Sequence, residues 1–170
     1  MARGEEASQR AKDIFMANLR SRHTESQEGF KQVFTLASDA INQEISGAAT
    51  TAVVAKILES PMGKFALVGS VGDCRAYLLR DGKLRLLTED DSIIPKDVSG
   101  KIDSALKISD LEDEDWGYFD SRNKITQSLG GEELENIHVV RQPLKDGDKL
   151  VLTSDGVHDN LASSEIQAAI

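Results

Sequence analysis

Three aspartates stand where the chain leaves an apolar run, and their carboxylates are the groups best placed to do chemistry. Asp155 follows Lys149–Thr153 (KLVLT), and Gly156 behind it lets the backbone turn sharply and leaves the carboxylate projecting. Asp159 comes four residues later, so a turn or a helical start puts both carboxylates on one side. Asp73 ends another apolar run in the same manner, beside Gly72. Clustered carboxylate oxygens suit hard divalent cations such as Mg²⁺ or Mn²⁺, which keep several waters. Spacing alone is a weak guide, because an isolated Asp-Gly after a strand is ordinarily a turn.

The elements that must position these residues can be read in order. Ala7, Ala11, Ile14, Phe15, Asn18 and Leu19 share one helical face, with Glu5 and Glu6 in the first turn where the helix dipole favours them. Residues 21–27 are polar and read as a loop. Phe30, Val33, Phe34, Ala37, Ile41 and Ile45 form a second apolar stripe. Residues 47–58 (GAATTAVVAKIL), rich in Thr and Val, read as a strand buried on both faces. Over residues 65–77 the chain alternates, with Phe65, Leu67, Gly69, Val71 and Asp73 on one face. Arg80-Asp81-Gly82-Lys83 is a hairpin turn, since Asp-Gly tolerates the positive φ of a type I′ turn, and residues 84–87 return. Residues 89–122 lose apolar density, and 110–115 (DLEDED) are almost wholly acidic. They read as a solvated surface insertion with one or two short helices or, alternatively, as a flap near an active site or a cation-attracting patch, without the spacing of an EF-hand loop. Residues 137–142 and 149–153 read as strands, the latter short and buried. A last helix opens at Ser163 or Ser164 as its cap. No internal repeat or linker divides the chain, so residues 1–170 read as a single domain.

Composition excludes several classes. The 170 residues carry 20 basic and 29 acidic side chains, a net charge of −9, which disfavours nucleic acid and anionic membranes as partners. One cysteine, Cys74, rules out an internal disulfide and a cysteine-based zinc site. The longest apolar runs are about five residues, against the ~20 a spanning helix needs, and the N-terminus lacks the apolar core of a signal peptide. A cytoplasmic location is the expectation.

Several short stretches go beyond spacing: residues 47–52 (GAATTA), 71–77 (VGDCRAY), 87–92 (LTEDDS), 125–130 (ITQSLG), and 146–148 (DGD) followed by 152–159 (LTSDGVHD). In this order they resemble the PP2C (PPM) family of metal-dependent protein serine/threonine phosphatases, whose signatures are G-x-T-x, V-G-D-S-R, L-T-x-D-H, I-T-x-x-L-G and S-D-G-x-x-D. The resemblance covers residues 4–170. It implies an α+β fold, an αββα sandwich of two antiparallel sheets flanked by helices. It also implies hydrolysis of phosphoserine and phosphothreonine in protein substrates by a water activated between two Mn²⁺ or Mg²⁺ ions. Asp155 matches the aspartate of S-D-G that ligates a catalytic metal. Asp73, Asp155 and Asp159 match the set around an additional, weaker metal position.

The departures are equally specific. The phosphate-gripping Arg, the Asp of an N-E-D-like motif, the D-G-x-G-G stretch and the closing D-N motif have no counterpart in these residues. Of the aspartates expected around the catalytic pair, Asp155 remains. The expectation is a sandwich incomplete at its N- and C-terminal strands, truncated at both ends. Such a chain would bind metal weakly at a single site at most, would not turn over, and would tend to self-associate through exposed sheet edges. The alternative is a pseudophosphatase that binds a phosphoprotein or regulator without turnover. Smaller departures are Cys74 for Ser, Asp91 for His, and Ala49 before Thr50. Cys74 reads as a small buried thiol and Arg75 as the partner of a neighbouring carboxylate. Thr50 and Thr51 read as structural, and Trp116 and Tyr118 as anchors of the insertion. His158 beside Asp155 is a minor candidate for moving a proton; His23 and His138 have no visible partner.

Overall fold

The structure is a computed structural model that describes residues 3–94, 98, 100, 117, 121, 124–132 and 134–170. The acidic stretch 110–115, Trp116 and Tyr118, to which the flap-like reading was attached, lie outside the described residues. Helices α1 (Gly4–Asn18) and α2 (Gln27–Glu44) form on the predicted apolar stripes, burying Ala7, Ala11 and Phe15 on the first and Phe30, Val33, Phe34, Ala37 and Ile41 on the second. Between them the polar stretch is a 3₁₀ turn, Arg22–Glu25, rather than an open loop. The Ser26 hydroxyl accepts the Gly29 N–H at 3.0 Å and so caps α2.

Six strands make two antiparallel three-stranded sheets. β1 (Ala52–Ser60), β2 (Gly63–Val71) and β5 (His138–Pro143) form the first, in the order β1-β2-β5. β3 (Arg75–Arg80), β4 (Lys83–Leu86) and β6 (Lys149–Thr153) form the second, in the order β4-β3-β6. The β3–β4 hairpin turns as predicted, with Asp81 at φ 51° and Gly82 at φ 71°.

Burial on both faces belongs to β2, not to residues 47–58. Leu67 and Val71 join the helix side with Phe15, Phe30, Phe34, Ile41 and Leu129, while Ala66 and Val68 join Ala76, Leu78 and Leu87 between the sheets. β2 is the central strand, and α2 lies directly on it: a Cβ at Gly69 would sit 2.7 Å from the Phe34 ring. β1 starts only at Ala52 and is an edge strand, with Ile57 62% exposed. β6 is likewise an edge rather than a buried strand, and Leu152 on it is 42% exposed. The apolar composition of these strands records half-burial at an edge, which is the same composition a central strand has.

Polar clips join the sheets at the end away from the aspartates. Arg80 donates to both carboxylate oxygens of Asp148, at 2.9 and 2.6 Å, and to the Pro143 carbonyl at 2.9 Å. Two helices follow β6, α3 (Asp155–His158) and α4 (Ser163–Ala169). The cap residue of α4 is Ala162, not Ser163 or Ser164: the Glu165 carboxylate reaches back to the Ala162 N–H at 3.0 Å and does the work a hydroxyl would have done. The Gln167 side-chain carbonyl accepts the Leu84 N–H, seating α4 on β4. With α1 and α2 outside the first sheet and α4 beside the second, the layering is αββα. Among the described residues no helix is long and apolar enough to cross a membrane.

Candidate metal centre

The register of the second sheet brings the aspartates together. β3 and β6 run antiparallel with Arg75 opposite Thr153. Asp73, two residues before Arg75, and Asp155, two residues after Thr153, therefore leave the sheet at the same end. Asp159 lies one turn beyond Asp155, its N–H donating to the Asp155 carbonyl at 2.9 Å. One Asp155 carboxylate oxygen accepts the Gly156 N–H at 2.8 Å, which fixes the start of α3.

These carboxylates also act on one another. Burial pushes the Asp73 carboxyl above the usual carboxylate range, and the charges of Asp155, Asp90 and Asp159 push it further. Mutually repelling oxygens beside a half-buried carboxyl are a place where a hard divalent ion is favoured. Carboxylate oxygens are the donor type such an ion takes. Among the described residues, no three His, Cys, Asp or Glu side chains converge closely enough to cage one. The arrangement is an open corner of oxygen donors, not a preformed cage.

The turn that carries Asp73 is tightly specified. Gly72 sits at φ 91°, and a Cβ there would meet Thr51 Cγ2 at 2.3 Å. Arg75 is buried and pairs with Asp90, Nε lying 3.0 Å from both carboxylate oxygens and one terminal nitrogen 2.6 Å from Oδ2, as its motif suggested. Cys74 is half-buried, its Sγ 3.2 Å from Thr51 Oγ1. Burial pushes its thiol up, and the Asp73 charge adds to this against the Thr51 hydrogen bond, so it stays a thiol rather than a nucleophile. His158 is buried, with Nδ1 3.0 Å from the Thr153 hydroxyl. Burial, then the Arg75 charge, push its pKa below the usual imidazole range against the nearby aspartates, and it braces the strand-to-helix turn. Residues 125–130 are structural as well: Thr50 and Leu129 exchange backbone hydrogen bonds at 3.0 and 2.9 Å, and the Gly130 N–H donates to Ser38 Oγ.

Two further residues were not legible as partners in the sequence. Asp91, noted there only as a departure, is 8% exposed and accepts the Gly72 N–H at 2.8 Å. Its other oxygen lies 3.2 Å from His138 Nε2, so His138, which had no visible partner, has one. His23 contacts the Gln32 side chain at the surface. Asp91 also lines a polar hollow of about 600 Å³ with Thr126, Ser128, Glu132 and Glu135.

No family model matches the chain. Its relatives are nonetheless consistent. It is 29% identical over 143 residues to the serine/threonine phosphatase stp of Listeria welshimeri, covering 84% of this chain and 51% of that protein. It is 30% identical over 121 residues to protein phosphatase PhpP of Streptococcus pneumoniae, covering 71% of this chain and 44% of the relative. The chain therefore spans about half the length of the curated relatives it matches. Among solved structures, the PPM Ser-Thr phosphatase MsPP from Mycobacterium smegmatis superposes with a TM-score of 0.75 at 23% identity, over 99% of this chain and 70% of that one. The catalytic domain of serine/threonine phosphatase PstP in complex with two manganese ions gives 0.66 at 23% identity, over 97% of this chain and 66% of that one. The fold is that of these phosphatases. By sequence and fold together, the chain is a relative of the PP2C (PPM) serine/threonine phosphatases.

Proposed function

We propose that this chain is the core of a PP2C-type protein serine/threonine phosphatase, acting on phosphoserine and phosphothreonine of protein substrates in the cytoplasm. The observation that carries the reading is the meeting of Asp73, Asp155 and Asp159 at one end of the second sheet, each within the motif that the relatives' family would place there. Mn²⁺ or Mg²⁺ held at such a corner supplies Lewis acidity toward phosphoryl oxygens and an activated water. Asp155, on the strand-to-helix turn braced by Thr153 and His158, is the ligand residue of the catalytic site; Asp73, Asp155 and Asp159 together surround the weaker position. Binuclear chemistry needs more carboxylate oxygens than these three side chains supply, so residues 1–170 by themselves bind metal weakly and do not turn over.

The test is Mn²⁺-dependent hydrolysis of a phosphothreonine peptide, with EDTA as control. It compares the gene product as the cell makes it with residues 1–170, after circular dichroism shows both folded. Activity in the former that Asp155→Ala abolishes is the expected result, and full activity in that variant sinks the role of Asp155. EDTA-sensitive turnover by residues 1–170 alone would overturn the inactivity of the isolated segment. Tight phosphopeptide binding by the cellular form without turnover would favour the second reading, a pseudophosphatase.

A further inference from the structure

We propose that Asp91 is the positioning residue of the carboxylate corner: it holds the Gly72 turn, and through it the aim of Asp73 toward Asp155 and Asp159. The inference rests on the metal-dependent reading above and adds a residue to it. Asp91 and Gly72 are bonded in both directions. The Gly72 N–H donates to Asp91 Oδ2 at 2.8 Å, and the Asp91 N–H donates to the Gly72 carbonyl at 2.9 Å. Gly72 lies just past the last ladder pair of β2, Val71 with Ala52, so no strand neighbour takes its N–H and a carboxylate does. A charge-assisted bond of this kind is roughly twice as strong as a neutral one.

Asp91 is itself held from two other directions. Its carbonyl accepts the Thr126 N–H at 2.8 Å, which ties it to the 125–130 segment docked under α2. Its Oδ1 meets His138 on β5, and His138 pairs with Ser70 on β2, two residues before Gly72. The carboxylate thus grips the end of β2 directly and again through the neighbouring strand. On its other side Gly72 lies close against Thr51, where an added Cβ would sit 2.3 Å from Cγ2, so the turn is bounded from both directions. The motif that the chain resembles carries His at this position. Here an acid stands there, and the imidazole comes from β5.

The experiment follows the wild type, Asp91→Asn and Asp91→Ala by NMR, with the thermal midpoint as a control on global folding. Amide exchange at Gly72 reports the turn; Mn²⁺ paramagnetic broadening at Asp73, Asp155 and Asp159 reports the corner. Asp91→Ala should speed Gly72 exchange by about tenfold or more while Val68 and Leu78 stay protected, and should raise the Mn²⁺ needed to half-broaden Asp73 by about tenfold. Asp91→Asn should fall between the wild type and Asp91→Ala in both, because its amide oxygen still accepts the Gly72 N–H but without the charge assistance. If the alanine protein does not fold, Asp91→Ser carries the same comparison. Unchanged Gly72 exchange, or a loosened turn with unchanged Mn²⁺ response, overturns the proposal. Absence of broadening in the wild type overturns the metal reading instead, and Gly72 exchange then still decides whether Asp91 holds the turn.

Discussion

Arg75 stands directly opposite Thr153, and that one pairing determines where Asp73 and Asp155 meet. Each aspartate leaves the sheet two residues from the pair, in opposite chain directions, so a shift of register would separate the carboxylates. The Arg75–Asp90 ion pair and the Thr153–His158 hydrogen bond flank the same position. The sheet aligns the corner, and these side chains keep the register from slipping.

Crowded carboxylates stabilise a bound cation and destabilise the protein without one. Asp73→Asn should therefore raise the melting temperature of the metal-free protein near neutral pH, where the other aspartates repel the charge it removes. Asp73 is only half-buried, so solvent screening keeps the rise to a few °C at most. The same variant should weaken Mn²⁺ binding, so a plot of melting temperature against Mn²⁺ should show the two proteins crossing. A lower melting temperature for the variant in EDTA would contradict the crowding.

Gly72→Ala combines an unfavourable φ with a collision, since the new methyl would lie 2.3 Å from Thr51 Cγ2 and 2.6 Å from its Cβ. Urea denaturation should give a loss of roughly 2–4 kcal/mol. Adding Thr51→Ala should recover only part of it, because the Thr51 Cβ and the φ of 91° both remain. Full recovery in the double variant would mean that the backbone conformation carries no cost.

How much of this was legible in the sequence follows from distance along the chain. The β3–β4 hairpin was readable because Asp81-Gly82 sets its own geometry, and the two long helices because their apolar stripes are local. Edge and central strands were not distinguished: residues 52–60 and 63–71 are similarly apolar, and only pairing tells which is flanked on both sides. The aspartates at strand ends were visible as motifs. The Asp91–His138 contact spans 47 residues and depends on β5 lying beside β2, which no local pattern encodes. The cap of α4 was misplaced because the serines at 163 and 164 offered hydroxyls, whereas Glu165 satisfies the Ala162 N–H from within the helix.

The β1 edge carries Val53, Val54, Ile57 and Leu58 with Lys56 as its one cation, and the Lys56 ammonium is turned inward onto the Ser21 carbonyl and Thr24 hydroxyl. An apolar groove of about 390 Å³ runs beside this edge, lined by Phe15, Met16, Val53 and Leu152. Residues 1–170 should therefore self-associate with rising concentration, and Ile57→Lys should shift the sedimentation profile toward monomer, since an outward lysine blunts an edge. A wild-type chain that stays monomeric at high concentration would rule out the edge as an adhesive surface.

Arg80 and Asp148 predict how the sandwich fails in acid. The Arg80 guanidinium, with help from the Lys145 N–H at 2.7 Å, holds the Asp148 carboxyl at about 2, below its ordinary 3.8. A carboxyl depressed in the folded state contributes stability that is fully present above its unfolded value and is lost as pH falls through its folded one. This contribution should therefore be intact at pH 5 and decline between about pH 4 and about pH 2. Asp148→Asn should be less stable than wild type at neutral pH, and the difference between the two should narrow across that window in urea titrations. Because Arg80 also reaches the Pro143 carbonyl, Arg80→Ala loses the bridge from the second sheet to β5 and should cost more than Asp148→Asn at neutral pH. A stability gap between Asp148→Asn and wild type that stays constant from pH 5 to pH 2 would mean that Arg80 does not depress the Asp148 carboxyl in the folded protein.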